Sequence, residues 1–379
     1  MDHLSIRLNI LAHVRRVVVK LGSSVVTTEN GLDRKMIKNL ADDIHAMRNT
    51  GKEFIIVSSG AIATGVRRLG LKEGARTIPQ KQAAASVGQS RLMTAYDEAF
   101  GRYGIRVGQL LLTRDDLTHR QRYLNARNTL TTLLSWGVVP IINENDTVVV
   151  DEIKLGDNDN LSALVAVMAS ADLLITLTDI EGLMDCDPRV NSDACLIPVV
   201  ENITPELRDL AGGTSSGVGR GGMASKLEAA SKAQLSGVPM IITRGKVENV
   251  IARALAGDPC GTLILPAKEK MSARKSWIRY NLRPEGALSV DDGAAHVLLH
   301  GGKSLLPIGI VEVEGSFEDG AAVDVTDING RKIAVGLVNY SSDEMKKIAG
   351  RQTAEIDWVL GYRRYDEAIH ADNLVVLQD

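Results

Sequence analysis

The stretch VVVKLGSS, residues 17–24, places three consecutive valines before a lysine, a glycine and two serines. A short β-branched apolar run is typical of a buried strand, and the small residues after it indicate a tight turn. Residues 32–48 then carry apolar side chains at helical spacing, and a second apolar run follows at residues 54–57. This order of strand, turn, helix and strand predicts a parallel βαβ unit.

The same alternation continues along the first 265 residues, with helical stretches between most of the apolar runs. It predicts an α/β fold in which helices cover both faces of a mostly parallel sheet. Ligands of such sheets bind at the carboxyl ends of the strands, so the segments that follow strands form the candidate site. The further predicted strands are residues 106–112, 138–142, 173–178 and 240–243.

The pattern changes after Pro266. Residues 267–285 carry six Lys and Arg against two Glu and are predicted to be a connector between domains. Short alternating strands and turns such as Asn329-Gly330 follow, which indicates a small, mainly β domain. We therefore predict a first domain at 1–266, the connector, and a C-terminal domain with its tail at 286–379. Its predicted strands include residues 308–313, 322–325 and 332–337.

The charge balance argues against two classes of partner. Lys and Arg number 44 and Asp and Glu 47, a net charge of −3, which does not favour nucleic acid or an anionic membrane. No apolar run has the length of a membrane span, and Arg7 and Asn9 interrupt the apolar residues of segment 1–16, unlike a signal peptide. The three cysteines have no CxxC spacing, so we expect reduced thiols and a cytoplasmic protein.

Two strand ends carry residues suited to anions. Lys20, with Gly22 beside it, could reach a phosphate while backbone N–H groups approach it, although a solvated lysine also fits. The segment 58–65, SSGAIATG, follows the next strand, and a helix beginning beyond Gly60 would offer unpaired N–H donors. A tight turn with serine as the helix cap explains this segment equally well.

Acidic and amide residues cluster twice, at 143–146 and at 156–160. Turns and helix caps explain one or two such residues, but two clusters at ligand-facing positions favour a polar substrate pocket. The spacing lacks the pattern of an EF-hand loop, and no metal site is predicted.

A glycine-rich segment, residues 217–226, reads GVGRGGMASK and precedes a helix. Backbone N–H groups, the helix dipole and Lys226 would converge there on an anion; a flexible loop is the alternative. The order of a Walker A loop is missing. Thr178-Asp179, at the end of a predicted strand, fits a nucleotide contact or a simple turn. No histidine lies in any of these segments, so proton transfer by histidine is not indicated.

Six segments in this order resemble the amino acid kinase family, and the C-terminal part resembles a PUA domain. The resemblance covers nearly the whole chain and implies an αβα sandwich with a mostly parallel central sheet, followed by a small, mainly β domain. Arg220 departs from the family, which usually has a small residue there. The segments are VVVKLGSS, SSGAIATG, NENDTV, GDNDNLSA, LTDIEGL with DPR, and GRGGMASK, followed by GGKSLLPIGI, VEGSFEDGAAV and GRKIAVGLVNYSSDEMKKIAG.

The resemblance implies transfer of the γ-phosphoryl group of MgATP to the γ-carboxylate of L-glutamate, the first step of proline biosynthesis. Ser59, Asp146 and Asn158 would bind glutamate, and Asp159 would hold Lys20 and Lys226, which makes these last three the implied catalytic set. The family also implies inhibition by proline, a homo-oligomer and coupling to the glutamyl phosphate reductase. The implied ATP-binding residues are Lys20, Thr178, Asp179, Arg220, Gly221, Gly222, Met223, Ala224, Ser225 and Lys226.

Elementary chemistry fits these roles. The γ-carboxylate of glutamate has an unperturbed pKa near ~4.3, so it is ionised at neutral pH and needs no general base. Two lysines and Mg²⁺ would neutralise the phosphoryl group, and Asp159 would offset the repulsion between Lys20 and Lys226. Asp146 would pair with the α-ammonium group of the substrate.

Three alternatives stay open: another small-molecule kinase of the same family, an RNA-binding PUA protein whose kinase fold is regulatory, and a catalytically inactive sensor. Residues 286–363 carry twelve acidic against seven basic residues, a net charge of −5 and the wrong sign for RNA, although the basic connector favours it weakly. The retained Lys20, Lys226 and Asp159 argue against a sensor.

Overall fold

The computed structural model of the chain describes residues 2–29, 31–148, 158–186, 191, 193–212, 222–267 and 271–377. The chain divides into two compact units, Met1–Lys270 and Met271–Asp379. Within the described residues, no helix has an apolar stretch long enough to cross a bilayer.

The first unit is built on an eight-stranded sheet with the order β5-β6-β4-β1-β7-β9-β10-β8. Neighbouring strands are parallel from β5 to β9, whereas β10 pairs antiparallel to β9, so the predicted mostly parallel sheet is confirmed. A separate hairpin of β2 and β3 follows β1. The strands are β1 Arg16–Leu21, β2 Thr27–Thr28, β3 Gly31–Leu32, β4 Glu53–Ser58, β5 Val107–Leu112, β6 Val139–Glu144, β7 Leu173–Thr178, β8 Val199–Val200, β9 Met240–Arg244 and β10 Thr262–Ile264.

Helices cover both faces of this sheet, as the α/β pattern predicts. Helices α1, α3, α5 and α11 contribute to the hydrophobic core on one face, and α8 and α10 pack on the other. The helices are α1 His3–Leu11, α2 Ser23–Val26, α3 Arg34–Arg48, α4 Ala61–Arg68, α5 Ile78–Gly101, α6 Arg114–Thr118, α7 Arg120–Ser135, α8 Asn158–Met168, α9 Pro205–Gly212, α10 Met223–Leu235 and α11 Val250–Ala256.

The alternation of side chains along β1 decides which residues reach each face. Val17, Val19 and Leu21 enter the core shared with α3 and α5. Val18 and Lys20 point to the opposite face because successive strand residues alternate. Lys20 is therefore placed beneath α8, one residue before the carboxyl end of the central strand.

A buried arginine fastens α1 to the far edge of the sheet. Arg7 is 1% exposed, and its guanidinium donates to four backbone carbonyls. Burial lowers the pKa of Arg7, since the charge has left water. The acceptors are the carbonyl oxygens of Gly261 at 2.5 Å, Pro198 at 3.0 Å, Cys260 at 3.2 Å and Asp258 at 3.3 Å.

The second unit has a five-stranded sheet with the order β12-β11-β13-β14-β15, in which only β11 and β13 pair in parallel. The small, mainly β C-terminal fold is thus confirmed. The strands are β11 Gly286–Val290, β12 Ile310–Gly315, β13 Ala322–Thr326, β14 Lys332–Leu337 and β15 Leu374–Val376, and the helices are α12 Ala273–Asn281, α13 Asp292–Gly301, α14 Ser342–Ile348 and α15 Ile356–Leu360.

Part of the predicted connector, residues 267–285, folds with the second unit. Its helix α12 packs against β14 and β15, and Arg279 donates to the carbonyl oxygen of Val376 at 3.3 Å. Three of the six basic residues that suggested a linker, Arg274, Lys275 and Arg279, lie in this helix, whose Trp277 and Ile278 are buried. Residues 268–270 lie outside the described residues.

Candidate active site

Lys20 lies in the middle of the sheet with its side chain only 3% exposed. Val57 of β4 and Thr176 of β7 flank it in register. Burying an ammonium group is unfavourable unless a counter-charge accompanies it, so this position requires an acidic partner.

Asp159 of α8 is that partner, and it pairs with two lysines. Its Oδ1 lies 2.5 Å from Lys20 Nζ, and its Oδ2 lies 3.1 Å from Lys226 Nζ of α10. The hydroxyl of Ser225 also donates to Oδ2, at 2.9 Å. The Asp159 side chain is fully buried and that of Lys226 is 9% exposed. One buried carboxylate therefore holds two ammonium groups close together, and the cluster carries one net positive charge.

Helix amino termini border this cluster. Helix α10 begins at Met223, after Gly222, and presents the N–H groups of its first turn beside Lys226. Helix α4 begins at Ala61, after Gly60, whose φ of 97° is in the left-handed region that favours glycine. Unpaired N–H groups and the positive end of the helix dipole make both termini suitable for anions.

Asn158 connects the lysine cluster to the neighbouring strands. Its Nδ2 lies 2.8 Å from the carbonyl oxygen of Ser58, 2.8 Å from Ser59 Oγ and 2.9 Å from Asn143 Oδ1. The structure thus brings Ser59 and Asn158 together, next to Asp159 along the chain. Because Asn143 lies on β6 and Ser58 on β4, the polar pocket extends from the central strand across two further strands.

Two residues of this pocket were not predicted from the sequence as individual site residues. Asn143 lies within the segment NENDTV, and its Nδ2 donates to Gln89 Oε1 of α5 at 2.9 Å. Nothing in the sequence around Gln89 marks it, since its contact with Asn143 spans 54 positions. Behind them, Ser58 Oγ and the hydroxyl of Tyr96 form a hydrogen bond of 2.8 Å, and burial raises the pKa of Tyr96.

The remaining predicted site residues occupy other positions. Asp146 lies two residues beyond the end of β6 and is half-buried. Thr178 ends β7 and is buried, and its Oγ1 donates to Asp179 Oδ1 at 3.0 Å; Asp179 is exposed. Among the glycine-loop residues, Met223 and Ala224 lie in the first turn of α10. Arg220 and Gly221 lie outside the described residues, as do residues 217–219 of the same segment, Gly156 and Asp157 of the second acidic and amide cluster, and the segment 187–189.

Comparison with known proteins decides the family. Residues 15–244 match the Amino acid kinase family, and residues 286–360 match the PUA domain. The chain belongs to the amino acid kinase family. Within this family, glutamate 5-kinase from Geobacter sulfurreducens is 55% identical over 372 residues, which cover 98% of this chain and 100% of that protein. Glutamate 5-kinase from Pelobacter propionicus is 53% identical with the same coverage.

As an amino acid kinase, the chain presents a cationic cluster and a neutral, amide-lined pocket side by side. The cluster of Lys20, Lys226 and Asp159 can receive the anionic phosphates of a nucleotide, because one positive charge remains after internal pairing. The pocket of Ser59, Asn158 and Asn143 supplies hydrogen-bonding groups without a charge of its own. An acceptor molecule in that pocket would lie against the transferred phosphoryl group.

Proposed function

We propose that the chain catalyses the ATP-dependent phosphorylation of the γ-carboxylate of L-glutamate, yielding L-glutamyl 5-phosphate in the first step of proline biosynthesis. The observation that carries this function is the buried Lys20–Asp159–Lys226 cluster beside the Asn158 pocket. Full-length similarity to two glutamate 5-kinases supports it and favours it over an RNA-binding role or another small-molecule kinase.

The chemical obstacle is repulsion between an ionised carboxylate and the polyanionic MgATP. Lys20 and Lys226 would offset this repulsion. Their attraction for the anions is stronger in a buried site than in water, because the effective dielectric constant is lower and the charges are already in position. Mg²⁺ arrives with ATP and neutralises part of the phosphate charge. Since the glutamate carboxylate is already ionised at neutral pH, the absence of histidine from the predicted site segments is consistent with this reaction.

Asp159 positions both lysines before the nucleotide binds. Without its carboxylate, two ammonium groups in a buried site would repel each other and turn away. Asn158, next to Asp159, would orient the substrate carboxylate, which would replace one of the three acceptors that its Nδ2 now contacts, and the N–H groups at the start of α4 would contact the same anion. Preorganised groups of this kind act mainly on the transition state.

The substrate assignment has a direct test. With MgATP and hydroxylamine, L-glutamate should yield a hydroxamate from the trapped acyl phosphate. N-acetylglutamate lacks the ammonium group that Asp146 would bind, and aspartate is one methylene too short for near-attack geometry, so both should react far more slowly. If either analogue gave a hydroxamate and glutamate gave none, the assignment of glutamate as the substrate would be wrong, whereas the assignment as a kinase would stand.

Several narrower properties remain predictions. They are binding of ATP by Thr178, Asp179, Gly222 and Ser225, inhibition by proline, assembly into a homo-oligomer, coupling to the glutamyl phosphate reductase, and a cytoplasmic location. ATP binding is tested by the KM of variants at these positions, and assembly by light scattering.

A further inference from the structure

Gln89 lies beside the pocket because α4 and α5 cross at unusually close range. A Cβ atom on Gly88 would lie 1.8 Å from the carbonyl oxygen of Ala61 and 2.6 Å from the backbone nitrogen of Gly65. Only glycine permits this approach, so the backbone of α5 touches the first turn of α4. Gln89 follows directly and is buried, with 8% of the residue exposed.

The orientation of the Gln89 amide follows from one backbone donor. The N–H of Glu144 donates to the Asn143 side chain at 2.9 Å, which identifies the accepting atom as Oδ1. Asn143 Nδ2 therefore faces Gln89, and the atom that accepts from it at 2.9 Å must be Oε1. Since Oε1 of Gln89 is used by Asn143, the Nε2 group is the end of the amide that does not contact Asn143. It is buried and has no hydrogen-bond partner among the residues that the structure describes.

A buried amide donor without a partner is costly in a folded protein and needs an explanation, of which a bound ligand is one. The strand order indicates which part of a ligand would lie there. Lys20 is on β1, Ser58 on β4 and Asn143 on β6, three adjacent strands, so Asn143 lies about two strand spacings, ~10 Å, from the lysine cluster. The γ-carboxylate and the α-carbon of an extended glutamate are roughly 4–5 Å apart. With the γ-carboxylate at β4, the α-substituents reach β6.

We propose that Gln89 is a specificity-determining residue whose Nε2 donates to the α-carboxylate of the substrate; this inference rests on the proposed function. Asp146, just beyond β6, would bind the ammonium group on the same α-carbon. The two residues then divide recognition of the amino-acid end, with Gln89 for the carboxylate and Asp146 for the ammonium. A neutral amide gives direction without adding a third positive charge to the site.

The test replaces Gln89 and measures each substrate group separately. Gln89→Met has nearly the same shape and no donor, and Gln121→Met makes the same substitution at an exposed position of α7 as a control. Competition against L-glutamate uses glutarate, which lacks the ammonium group, and 4-aminobutyrate, which lacks the α-carboxylate. The KM for ATP and the circular dichroism spectrum report whether the variant is folded.

Gln89→Met should raise the KM for glutamate and the inhibition constant of glutarate about tenfold to a hundredfold. The inhibition constant of 4-aminobutyrate and the KM for ATP should stay within about twofold. Asp146→Asn should show the reverse pattern, weakening 4-aminobutyrate and sparing glutarate. If Gln89→Met does not fold, Gln89→Glu tests the same idea, because a carboxylate there would repel glutamate and glutarate but not the ammonium analogue.

Two results would overturn the assignment. A glutamate KM within twofold of that of Gln121→Met would show that Nε2 does not touch the substrate. Equal losses for glutarate and 4-aminobutyrate would show that Gln89 acts only by holding Asn143. Both results presuppose that the unmodified protein phosphorylates glutamate, so a failure of the proposed function would be recognised first and separately.

Discussion

Removing the charge of Asp159 should destabilise the first unit strongly. Asp159→Asn preserves the shape of the side chain but leaves Lys20 and Lys226, whose side chains are 3% and 9% exposed, without a counter-charge. Breaking a buried ion pair by removing one partner typically costs about 3–5 kcal/mol. Two pairs share this carboxylate, but the amide oxygen of asparagine can still accept from one lysine. We therefore expect a loss of about 3–5 kcal/mol rather than twice that value.

The measurement is unfolding in guanidinium chloride without ligands. Hydrogen exchange in peptides from β1 and α8 is the readout, so that the signal gives the stability of the first unit alone. A second substitution, Lys20→Met in the Asp159→Asn background, removes one of the uncompensated charges and should restore part of the stability. Tripolyphosphate should stabilise Asp159→Asn more than the unmodified protein, since the anion replaces the missing charge. Glu98→Gln, which breaks the exposed pair with Arg34, is the matched control and should cost ~1 kcal/mol or less.

The reasoning would be refuted if Asp159→Asn unfolded at the same denaturant concentration as the Glu98→Gln control. It would also fail if Lys20→Met lowered the stability of Asp159→Asn further, because the lysine would then be contributing packing and not an unpaired charge.

Lys226→Ala should lower kcat by several orders of magnitude and change the KM for ATP little, because this lysine acts on charge that develops during transfer. Steady-state kinetics of the variant measure both constants. A raised KM for ATP with a normal kcat would show instead that Lys226 contributes to ground-state binding of the nucleotide. Asp43 is buried and accepts from the N–H of Ile251 at 3.0 Å, so Asp43→Ala should cost about 1–3 kcal/mol in urea unfolding, and Asp43→Asn less. Burial raises the pKa of Asp43, so the carboxyl group binds a proton more tightly in the folded state than in the unfolded state. Its contribution to stability should therefore fall as pH rises from ~4 through the folded-state pKa. Asp43→Asn should abolish this pH dependence, and a dependence that persisted in the variant would show that Asp43 is not its source.

Local sequence pattern was sufficient for the parallel strands and for the residues at their ends. The apolar runs that predict β1, β4 and β7 are continuous, and Lys20 was placed correctly at a strand end. Two short strands escaped prediction: the edge strand β8 and its neighbour β10 have two and three residues, too few to show any period. The helix α12 was interpreted as a connector because its charge was more conspicuous than its two buried apolar residues.

The pocket was only partly predictable for a different reason. Motif positions such as Asn158 and Asp159 follow from segments of the sequence, whereas the contact between Gln89 and Asn143 depends on how closely two helices cross. That distance is set by Gly88 against the backbone of α4, and no local pattern encodes which helix a glycine will face. Tertiary packing, not propensity, placed Gln89 in the site.

The anchoring of Arg7 has a consequence for the order in which the chain folds during synthesis. Its four acceptor carbonyls lie between 191 and 254 residues further along the chain. At about 5–20 residues per second, a ribosome needs on the order of tens of seconds to produce them. Throughout that interval Arg7 lacks all four acceptors, although β1, which follows α1 directly, already belongs at the centre of the future sheet. Helix α1, which is synthesised before every strand of the sheet, is thus among the last elements to be fixed, and its attachment reports that β10, next to the edge strand β8, is complete.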